Sequence, residues 1–279
     1  MKLLKTLYRV LLFAFILSCF TFCSKSDSDY ENPDTKDSNV TAGQPDPNLH
    51  LYLLIGQSNM AGRGVLDAYY KGISHPKVLM LNKGNEWILA SHPLHFDKPK
   101  MVAVGPGLSF GIEMAKANPS VKIGLIPSAV GGTAIESWEP SAKDQVTGAF
   151  PYDDAVARLK VAMKSGVVKG IIWHQGEANS SLEKSATYLD KLELLIGRLR
   201  EVARDKNLPF VAGELGRYRD KYKFINDKLQ LLPERVKNTA VASSEGLNHK
   251  GDGTHFDAAS ATELGKRFAT QMLELQENQ

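Results

Sequence analysis

Five short apolar segments, each bounded by turn residues, recur along the chain and constrain its fold more than any other feature. Both faces of each segment are apolar, which is typical of strands that are buried on both sides. The segments are residues 51–55, 121–126, 170–173, 209–212 and 239–242. Strands of this kind form parallel sheets that helices cover on both faces. We therefore expect a parallel sheet at the centre of the molecule.

Stretches with helical periodicity lie between these segments. In residues 182–205, Leu189, Leu192, Ile196 and Leu199 recur three or four positions apart and therefore share one face of a helix. Comparable stretches are residues 107–117, 153–164, 221–232 and 258–275. Strands that alternate with helices predict an α/β fold with a parallel sheet of about five strands. Residues 78–89 are a candidate for an additional peripheral hairpin.

The first 23 residues have the pattern of a bacterial export leader. This segment contains Lys2, Lys5 and Arg9 without any acidic residue, and its apolar run extends from residue 10 to about residue 22. The run is too short for a comfortable membrane span, so we predict a signal peptide. Residues 24–48 are rich in Ser, Asp, Asn and Pro, and they are expected to form a flexible tether because they have almost nothing to bury.

Both cysteines of the chain lie in this leader, where a cysteine at the end of the apolar run resembles the lipid acceptor of a lipoprotein. Cys19 follows the small residue Ser18, as a cleavage site requires, whereas the polar chain begins directly after Cys23. The pattern favours Cys19 over Cys23, and a plain secretory peptide with incidental cysteines is the alternative. We thus predict a signal peptide over residues 1–18 (1–22 if Cys23 is the acceptor), a tether over 19–48 and a folded domain over 49–279.

The charges outside the leader are balanced. The chain has 34 Lys and Arg against 31 Asp and Glu, for a formal net charge of +3, and the three basic residues of the leader account for the whole excess. A nucleic-acid partner would need a basic face and gains no support from this balance. The balance fits a neutral substrate better than a polyanion.

Polar residues cluster at or near the ends of the predicted strands. The clusters are Gly-Gln-Ser-Asn-Met-Ala-Gly at 56–62, Gly-Gly-Thr at 131–133, His-Gln-Gly-Glu at 174–177 and Gly-Asp-Gly-Thr-His-Phe-Asp at 251–257. In parallel α/β sheets, ligands bind outside the carboxyl ends of the strands. These four clusters are therefore expected to meet in space.

Three residues of these clusters have the chemistry of a serine hydrolase. A serine hydroxyl needs a base within hydrogen-bond reach and a third group that orients the base. Ser58 is the predicted nucleophile, His255 the base, and Asp252 the group that orients the imidazole. Asp257 is a rival to Asp252, although side chains two positions apart rarely face each other in a helical turn.

An acyl-transfer site also needs hydrogen-bond donors where negative charge develops on the substrate oxygen. The backbone N–H groups of Ser58 and Gly132, with the side-chain amide of Gln175, are the candidates for this oxyanion hole. The candidates for lining the site are Gln57, Asn59, Arg63, Trp138, His174 and Glu177.

The four ordered motifs resemble the sialate O-acetylesterase-like branch of the SGNH hydrolases, which includes carbohydrate esterase family six and its acetylxylan esterases. The resemblance extends from about Leu51 to Ala269. It implies a flavodoxin-like three-layer α/β/α sandwich and no cofactor. Carried over by position, it implies a serine nucleophile at Ser58, an oxyanion hole at Gly132 and Gln175, and an Asp-x-x-His motif at residues 252–255. Glu177 also matches a family position, without an assigned role.

Two other readings of the polar residues have less support. Relatives often carry a cysteine where this chain has Ser128, but no base motif surrounds that serine, so it is not expected to act as a second nucleophile. A metal site of His174, Glu177 and His255 lacks the i, i+4 histidine spacing or a cysteine set. No metal is therefore expected.

The sequence predicts an exported lipoprotein of the bacterial outer membrane that removes acetyl groups from acetylated oligo- or polysaccharides of the xylan or sialic acid type. Its only membrane contact would be the lipid anchor. A catalytically silent carbohydrate-binding lipoprotein with the same fold is the alternative from another class. An esterase that acts on other small acyl esters is the alternative among enzymes.

Overall fold

The computed structural model describes residues 44–278. The predicted signal peptide, both candidate lipid acceptors and most of the predicted tether lie outside these described residues. The first strand begins at Asp46, three residues before the predicted start of the domain, because the backbone N–H of Asp46 donates to the carbonyl oxygen of Ser165 at 3.0 Å. No helix within the described part of the chain combines the length and the apolar character that crossing a membrane requires.

Within residues 44–278, a central sheet of seven strands organises the fold. The strands are β1 (Asp46–Gly56), β2 (Val78–Leu81), β3 (Trp87–Leu89), β4 (Lys122–Ala129), β5 (Gly166–His174), β6 (Phe210–Gly213) and β7 (Thr239–Ala242). Their order across the sheet is β3-β2-β4-β1-β5-β6-β7. Every neighbouring pair is parallel except β2 and β3, which are antiparallel.

The prediction of about five strands is therefore corrected to seven. The five predicted strands are present as β1, β4, β5, β6 and β7, and the two further strands come from the peripheral hairpin at residues 78–89. Both strands of that hairpin join the sheet because β2 pairs with β4, with Val78 opposite Ile123. The mostly parallel sheet between helical layers agrees with the predicted α/β class.

The helices differ from their predicted lengths mainly at their ends. They are α1 (Ser58–Ala61), α2 (Ala68–Lys71), α3 (Gly107–Ala117), α4 (Pro151–Ala162), α5 (Leu182–Ser185), α6 (Tyr188–Ala203), α7 (Lys223–Gln230), α8 (Leu232–Arg235) and α9 (Ala258–Glu277). The predicted helix at 182–205 is divided into α5 and α6. The start of α6 is fixed to the end of β5, because the Tyr188 hydroxyl donates to the carbonyl oxygen of Gln175 and accepts from Trp173 Nε1.

Two hydrophobic clusters, one on each face of the sheet, make the three layers. Leu51 and Leu53 of β1 point into the cluster that includes the buried faces of α4, α6 and α7. Tyr52 and Leu54 point into the other cluster, which includes the buried faces of α3 and α9. Alternate residues of one strand thus serve opposite faces, and both faces are apolar, as the sequence pattern predicts for a strand covered on both sides.

The carboxyl ends of β1, β4 and β5 lie side by side. Gly56, the last residue of β1, is level with Ala129 of β4 and His174 of β5. Gly56 has a φ of +132°, and a Cβ atom at this position would clash with the carbonyl oxygen of His174. Only glycine fits there, so β1 and β5 approach closely just before the chain turns into α1 and Ser58.

Candidate active site

Ser58, His255 and Asp252 form a continuous chain of hydrogen bonds at this edge of the sheet. Ser58 Oγ lies 3.0 Å from His255 Nε2, and His255 Nδ1 lies 2.7 Å from Asp252 Oδ2. Ser58 is the first residue of α1, whereas Asp252 and His255 lie in the loop before α9, almost the whole domain away in sequence. The arrangement matches the geometry in which a histidine takes a proton from a serine while a carboxylate holds the ring.

Asp252 is held as a carboxylate by its own loop. Burial acts to raise the pKa of Asp252, but hydrogen bonds from the backbone and the ring of His255 and from the backbone of Thr254 outweigh it and hold that pKa well below its ordinary value. Asp252 Oδ1 accepts both backbone N–H groups, at 2.8 Å from His255 and 2.9 Å from Thr254. One carboxylate oxygen thus fixes the loop, and the other remains for the ring.

Asp257, the rival to Asp252, has another role in the fold. Its side chain caps the first turn of α9, with Oδ1 accepting from the backbone N–H of Ser260 at 2.7 Å. An acidic residue at this position satisfies a free N–H of the helix. The geometry therefore favours Asp252 as the group that orients His255.

Two free backbone donors lie beside the serine. Among residues 44–278, the N–H groups of Ser58 and Gly132 have no hydrogen-bond acceptor. Gly132 has a φ of +94°, a conformation that favours glycine. Its neighbour Gly131 packs against the serine, since a Cβ atom on Gly131 would lie 3.3 Å from Ser58 Cβ. We call residues 131–132 the glycine loop.

A buried ion pair holds the glycine loop in place. Asp97 Oδ2 accepts from the backbone N–H of Gly131 at 2.8 Å and from Arg63 Nη2 at 2.7 Å. Arg63 Nη1 also donates to the carbonyl oxygen of Gly62, at 2.8 Å. Arg63 is thus buried support beneath the site, not part of its lining as predicted. Asp97 is not identified from the sequence, because no motif surrounds it.

Gln175 lies behind the site, which differs from its predicted place in the oxyanion hole. Its side chain is fully buried, and Nε2 donates to the carbonyl oxygen of Thr133 at 3.0 Å and to Asn179 Oδ1 at 2.9 Å. Nε2 therefore already has hydrogen-bond acceptors within the protein. Gln57, directly before Ser58, turns its Oε1 towards Gln175 Nε2 at 3.4 Å, and its own amide nitrogen has no acceptor within the described part of the chain.

Two more residues predicted to line the site belong to the core. Trp138 is 1% exposed, packs edge-on against Trp173 and donates from Nε1 to Thr133 Oγ1 at 3.2 Å. His174 is fully buried, and its Nε2 donates to the carbonyl oxygen of Glu214 at 3.0 Å. Because both side chains are buried in the core, neither is available to bind a substrate in this structure. Large aromatic side chains at such positions stabilise a core by the area they bury.

Asn59 and Glu177 also lie beneath the serine. Asn59 is 4% exposed, and its Nδ2 donates to Glu177 Oε1 at 2.6 Å. Glu177 Oε1 also lies 3.9 Å from His174 Nδ1. Burial lowers the pKa of His174, against the opposing effect of Glu177. No group of three or more His, Cys, Asp or Glu residues in the described ranges is arranged to hold a metal ion.

A cavity of about 630 Å³ lies beside the glycine loop, between the end of β4 and α4. Its lining includes three cations, Lys83, Lys98 and Arg158, and the aromatic ring of Phe96. The Arg158 guanidinium lies over that ring, 5.2 Å from its centroid. Ser128 also lines this cavity, and its hydroxyl is bonded to no histidine in residues 44–278.

The charge of this cavity is positive. None of its three cations has a carboxylate within 4.0 Å in the described part of the chain, and Asp97, which also lines the cavity, is paired with Arg63. Asp154 is the remaining acidic residue of the lining, and burial, together with the neighbouring Asp153, raises its pKa. The cavity also adjoins the glycine loop, since a Cβ atom on Gly132 would lie 3.9 Å from Lys98 Nζ.

Comparison with known proteins places the chain in a family. The family model described as carbohydrate esterase, sialic acid-specific acetylesterase matches residues 48–274. The chain is also 30% identical over 251 residues to a protein of Arabidopsis thaliana described as a probable carbohydrate esterase, and the match covers 82% of this chain and 92% of that protein.

Solved structures share the fold over most of the chain. A crystal structure of an Arabidopsis thaliana protein has a TM-score of 0.71 at 28% identity, and covers 82% of this chain and 99% of that one. NanS has a TM-score of 0.67 at 16% identity, with 85% and 99% covered. A carbohydrate acetylesterase from Xanthomonas citri has a TM-score of 0.64 at 20% identity, with 83% and 57% covered. The predicted likeness to the sialate O-acetylesterase-like SGNH hydrolases is confirmed.

Proposed function

The chain belongs to the carbohydrate esterase family described as sialic acid-specific acetylesterases, and we propose that Ser58, His255 and Asp252 perform its reaction. As a member of that family it is a carbohydrate O-acetylesterase, a carboxylic ester hydrolase. The observation that carries the assignment of residues is the unbroken hydrogen-bond chain from Ser58 Oγ through the imidazole to Asp252 Oδ2.

In the proposed mechanism, Ser58 Oγ attacks the acetyl carbonyl carbon while His255 Nε2 takes the hydroxyl proton. The tetrahedral intermediate collapses, the bond from the carbonyl carbon to the sugar oxygen breaks, and the imidazolium returns the proton to that oxygen. Water then attacks the acetyl-serine with His255 as base, which releases acetate and restores Ser58. Asp252 stabilises the imidazolium that forms in each half of the reaction.

We propose that the oxyanion is bound by the backbone N–H groups of Ser58 and Gly132 and by the side-chain amide of Gln57. All three nitrogens lack an acceptor among the described residues, and unpaired donors close to a nucleophile are what an oxyanion hole requires. Gln175 would not bind the oxyanion itself but would orient Gln57. Its Nε2 faces Gln57 Oε1, which favours the orientation in which the Gln57 amide nitrogen is free.

We propose that the substrate is an O-acetylated acidic sugar of the sialic acid class, not neutral acetylated xylan. The cavity beside the glycine loop supports this choice, since Lys83 and Lys98 supply positive charge without a carboxylate within 4.0 Å. Arg158, whose guanidinium is held by the backbone carbonyl oxygens of Leu81, Asn82 and Pro127, adds to this charge. The overall charge balance of the sequence favours a neutral glycan, but a carboxylate on a bound sugar interacts with the local charges.

Acetate release by the purified full chain tests both the proposed mechanism and the proposed substrate class. The substrates are O-acetylated sialic acid, acetylated xylan and 4-nitrophenyl acetate, each with the wild type and Ser58→Ala. We expect the highest kcat/KM on the sialic acid ester and loss of activity on all substrates in Ser58→Ala. Preference for xylan would overturn the substrate class alone. Full activity of Ser58→Ala would overturn the mechanism, and inactivity of the wild type on every ester would favour a sugar-binding protein.

We further propose that the protein is exported and anchored in the outer membrane by a lipid on Cys19, with Cys23 as the competing acceptor. The support is the pattern of the leader and the small residue Ser18 before Cys19. Labelling bacteria that express the chain with a palmitate analogue tests it. Label should be lost in Cys19→Ala and retained in Cys23→Ala; the reverse result would identify Cys23, and no label in the wild type would contradict the anchor.

A further inference from the structure

The side chain of Asn59 connects the nucleophile to both sides of the base. Asn59 directly follows Ser58 in α1. Its Nδ2 donates to the carbonyl oxygen of Thr254 at 3.1 Å, and its Oδ1 accepts from the backbone N–H of Phe256 at 3.1 Å. Thr254 and Phe256 are the two sequence neighbours of His255. One side chain therefore fixes where the backbone of His255 lies relative to Ser58.

The partner of Asn59 is a buried carboxylate that pairs with no Lys or Arg among the described residues. Asn59 Nδ2 donates to Glu177 Oε1 at 2.6 Å. The Glu177 side chain is 6% exposed, and its Oε2 has no hydrogen-bond partner in the described part of the chain. Burying an ionised carboxylate with one oxygen unsatisfied destabilises a fold. Stability alone therefore does not account for the glutamate.

Glu177 gives the Asn59 amide a single orientation. The two ends of an amide have nearly the same shape, but one end donates and the other accepts, whereas an ionised carboxylate only accepts. Glu177 therefore pairs only with the Nδ2 end of Asn59. This leaves the Oδ1 end facing the N–H of Phe256, which is the orientation that holds both sides of His255.

We propose that Asn59 and Glu177 are positioning residues for proton transfer between Ser58 and His255. The inference rests on the proposed roles of those two residues. Transfer requires the serine and imidazole to stay within about 2.6–3.2 Å, and the observed distance is 3.0 Å. Asn59 maintains this distance by joining α1 to the loop that carries His255, and Glu177 maintains the orientation of Asn59.

The chain offers a matched control in Asn226. This residue is also buried, at 8% exposure, and its amide also bonds the backbone of a loop in both directions. Its Oδ1 accepts from Leu215 N at 2.8 Å, and its Nδ2 donates to Leu215 O at 3.0 Å. Asn226→Ala removes a comparable set of hydrogen bonds but none at His255. A loss of stability can thus be separated from a loss of positioning.

The test compares Asn59→Ala, Glu177→Leu, Glu177→Gln and Asn226→Ala in the full chain, by kcat and KM on 4-nitrophenyl acetate and by urea unfolding. We expect kcat to fall about 100-fold in Asn59→Ala and Glu177→Leu with KM unchanged, the size of effect that follows a displacement of about 1 Å at a reacting pair. Glu177→Gln, which keeps an acceptor but loses the enforced orientation, should have an intermediate kcat. Asn226→Ala should unfold at lower urea with kcat unchanged.

A double variant that also lacks the base, His255→Ala, distinguishes loss of positioning from a general disruption of the active site. If Asn59 acts through the imidazole, adding Asn59→Ala to His255→Ala should not lower the residual rate further. A further large fall in that background would overturn the inference, as would unchanged kcat in Asn59→Ala or in Glu177→Gln, the variant closest in shape to the wild type. An inactive Ser58→Ala beside a fully active Asn59→Ala would reject this inference alone, whereas a fully active Ser58→Ala would reject the proposed function.

Discussion

Arg63 and Asp97 form an ion pair of 2.7 Å beneath the nucleophile, with side chains that are 2% and 1% exposed. The Asp97 oxygen of this pair also accepts the backbone N–H of Gly131. The pair thus joins the segment after Ser58 to the glycine loop, which carries a proposed oxyanion donor. When one partner of such a buried pair loses its charge, the fold is strongly destabilised, because the other charge is left buried and unpaired.

Asp97→Asn should therefore affect both stability and catalysis. We expect the free energy of unfolding to fall by about 3 kcal/mol or more, since removal of one partner leaves Arg63 as a buried unpaired cation. The glycine loop loses its anchor, so kcat should fall while KM changes little. Urea unfolding and steady-state kinetics measure the two effects. Arg63→Gln combined with Asp97→Asn should recover part of the stability; a single variant as stable and active as the wild type would contradict the role of the pair.

Asp252→Asn should lower kcat on the order of 1000-fold with little change in the unfolding midpoint. The side-chain oxygen of the new amide would keep the two backbone N–H groups, so the amide nitrogen would face His255 Nδ1. The ring would then carry its proton on Nε2, where it cannot accept the proton of Ser58. Steady-state kinetics on 4-nitrophenyl acetate measures the fall.

Asp257→Ala is the comparison for that variant. It removes the cap of α9 and should lower the free energy of unfolding by about 1 kcal/mol without a matching fall in kcat. A larger loss of kcat in Asp257→Ala than in Asp252→Asn would show that Asp257 orients the imidazole.

Lys98→Gln should weaken binding of carboxylate-bearing substrates only. Removing one partly exposed cation from the cavity should raise KM for an O-acetylated sialic acid up to about fivefold, the range of a solvent-accessible ion pair. The KM for 4-nitrophenyl acetate should not change. Salt should reduce the difference between variant and wild type, because it screens exposed charges. Lys100→Gln, on the same segment but outside the cavity lining, is the control, and an equal effect there would contradict a specific role for Lys98.

Stability should decrease in mild acid because of buried histidines. Burial lowers the pKa of His95 to about 3 and that of His92 to about 4, whereas both bind a proton near pH 6.5 in an unfolded chain. Between these values the unfolded state binds more protons, so the free energy of unfolding falls as pH drops below 6.5. The slope is up to about 1.4 kcal/mol per pH unit for each histidine.

His95→Asn tests this origin of the acid sensitivity. The asparagine oxygen can replace Nδ1 as acceptor for the backbone N–H of Ala129, which lies at 3.1 Å, but it does not titrate. Urea unfolding at several values between pH 4 and pH 7 should therefore give a smaller slope for the variant than for the wild type. Parallel curves would exclude His95 as a source of the pH dependence.

The proximity of Ser58, Asp252 and His255 could be predicted from the sequence, and the reason is physical. Ser58 lies two residues after a strand whose apolar character on both faces identifies it as central. Asp252 and His255 lie in a short glycine-rich loop before a clearly periodic helix. The carboxyl edge of a parallel sheet then fixes where such loops meet. The predicted number of strands was wrong at the hairpin. Its two strands have only four and three residues, which is too few for the hydrophobic pattern to show whether they join the sheet.

Roles that depend on hydrogen-bond partners could not be derived in the same way. The resemblance assigns Gln175 to the oxyanion hole, yet its Nε2 donates to the carbonyl oxygen of Thr133 and to Asn179 Oδ1. Both partners lie in or next to the sequence motifs, but the motifs do not predict these contacts. Trp138 follows the glycine loop in sequence but turns into the core against Trp173. Asp97 lies in a stretch without periodicity, and only tertiary structure shows that it reaches Gly131.

The hydrogen bond between Ser58 and His255 spans 197 positions of the sequence. During synthesis the nucleophile leaves the ribosome long before its base, and α9, which follows the base, packs against both α3 and the sheet. A growing chain therefore has no hydrolytic centre until nearly all of the domain has been made. Because of the same spacing, loss of esterase activity is a sensitive measure of proteolysis. A single cut that releases the C-terminal segment removes the base and leaves the serine in place.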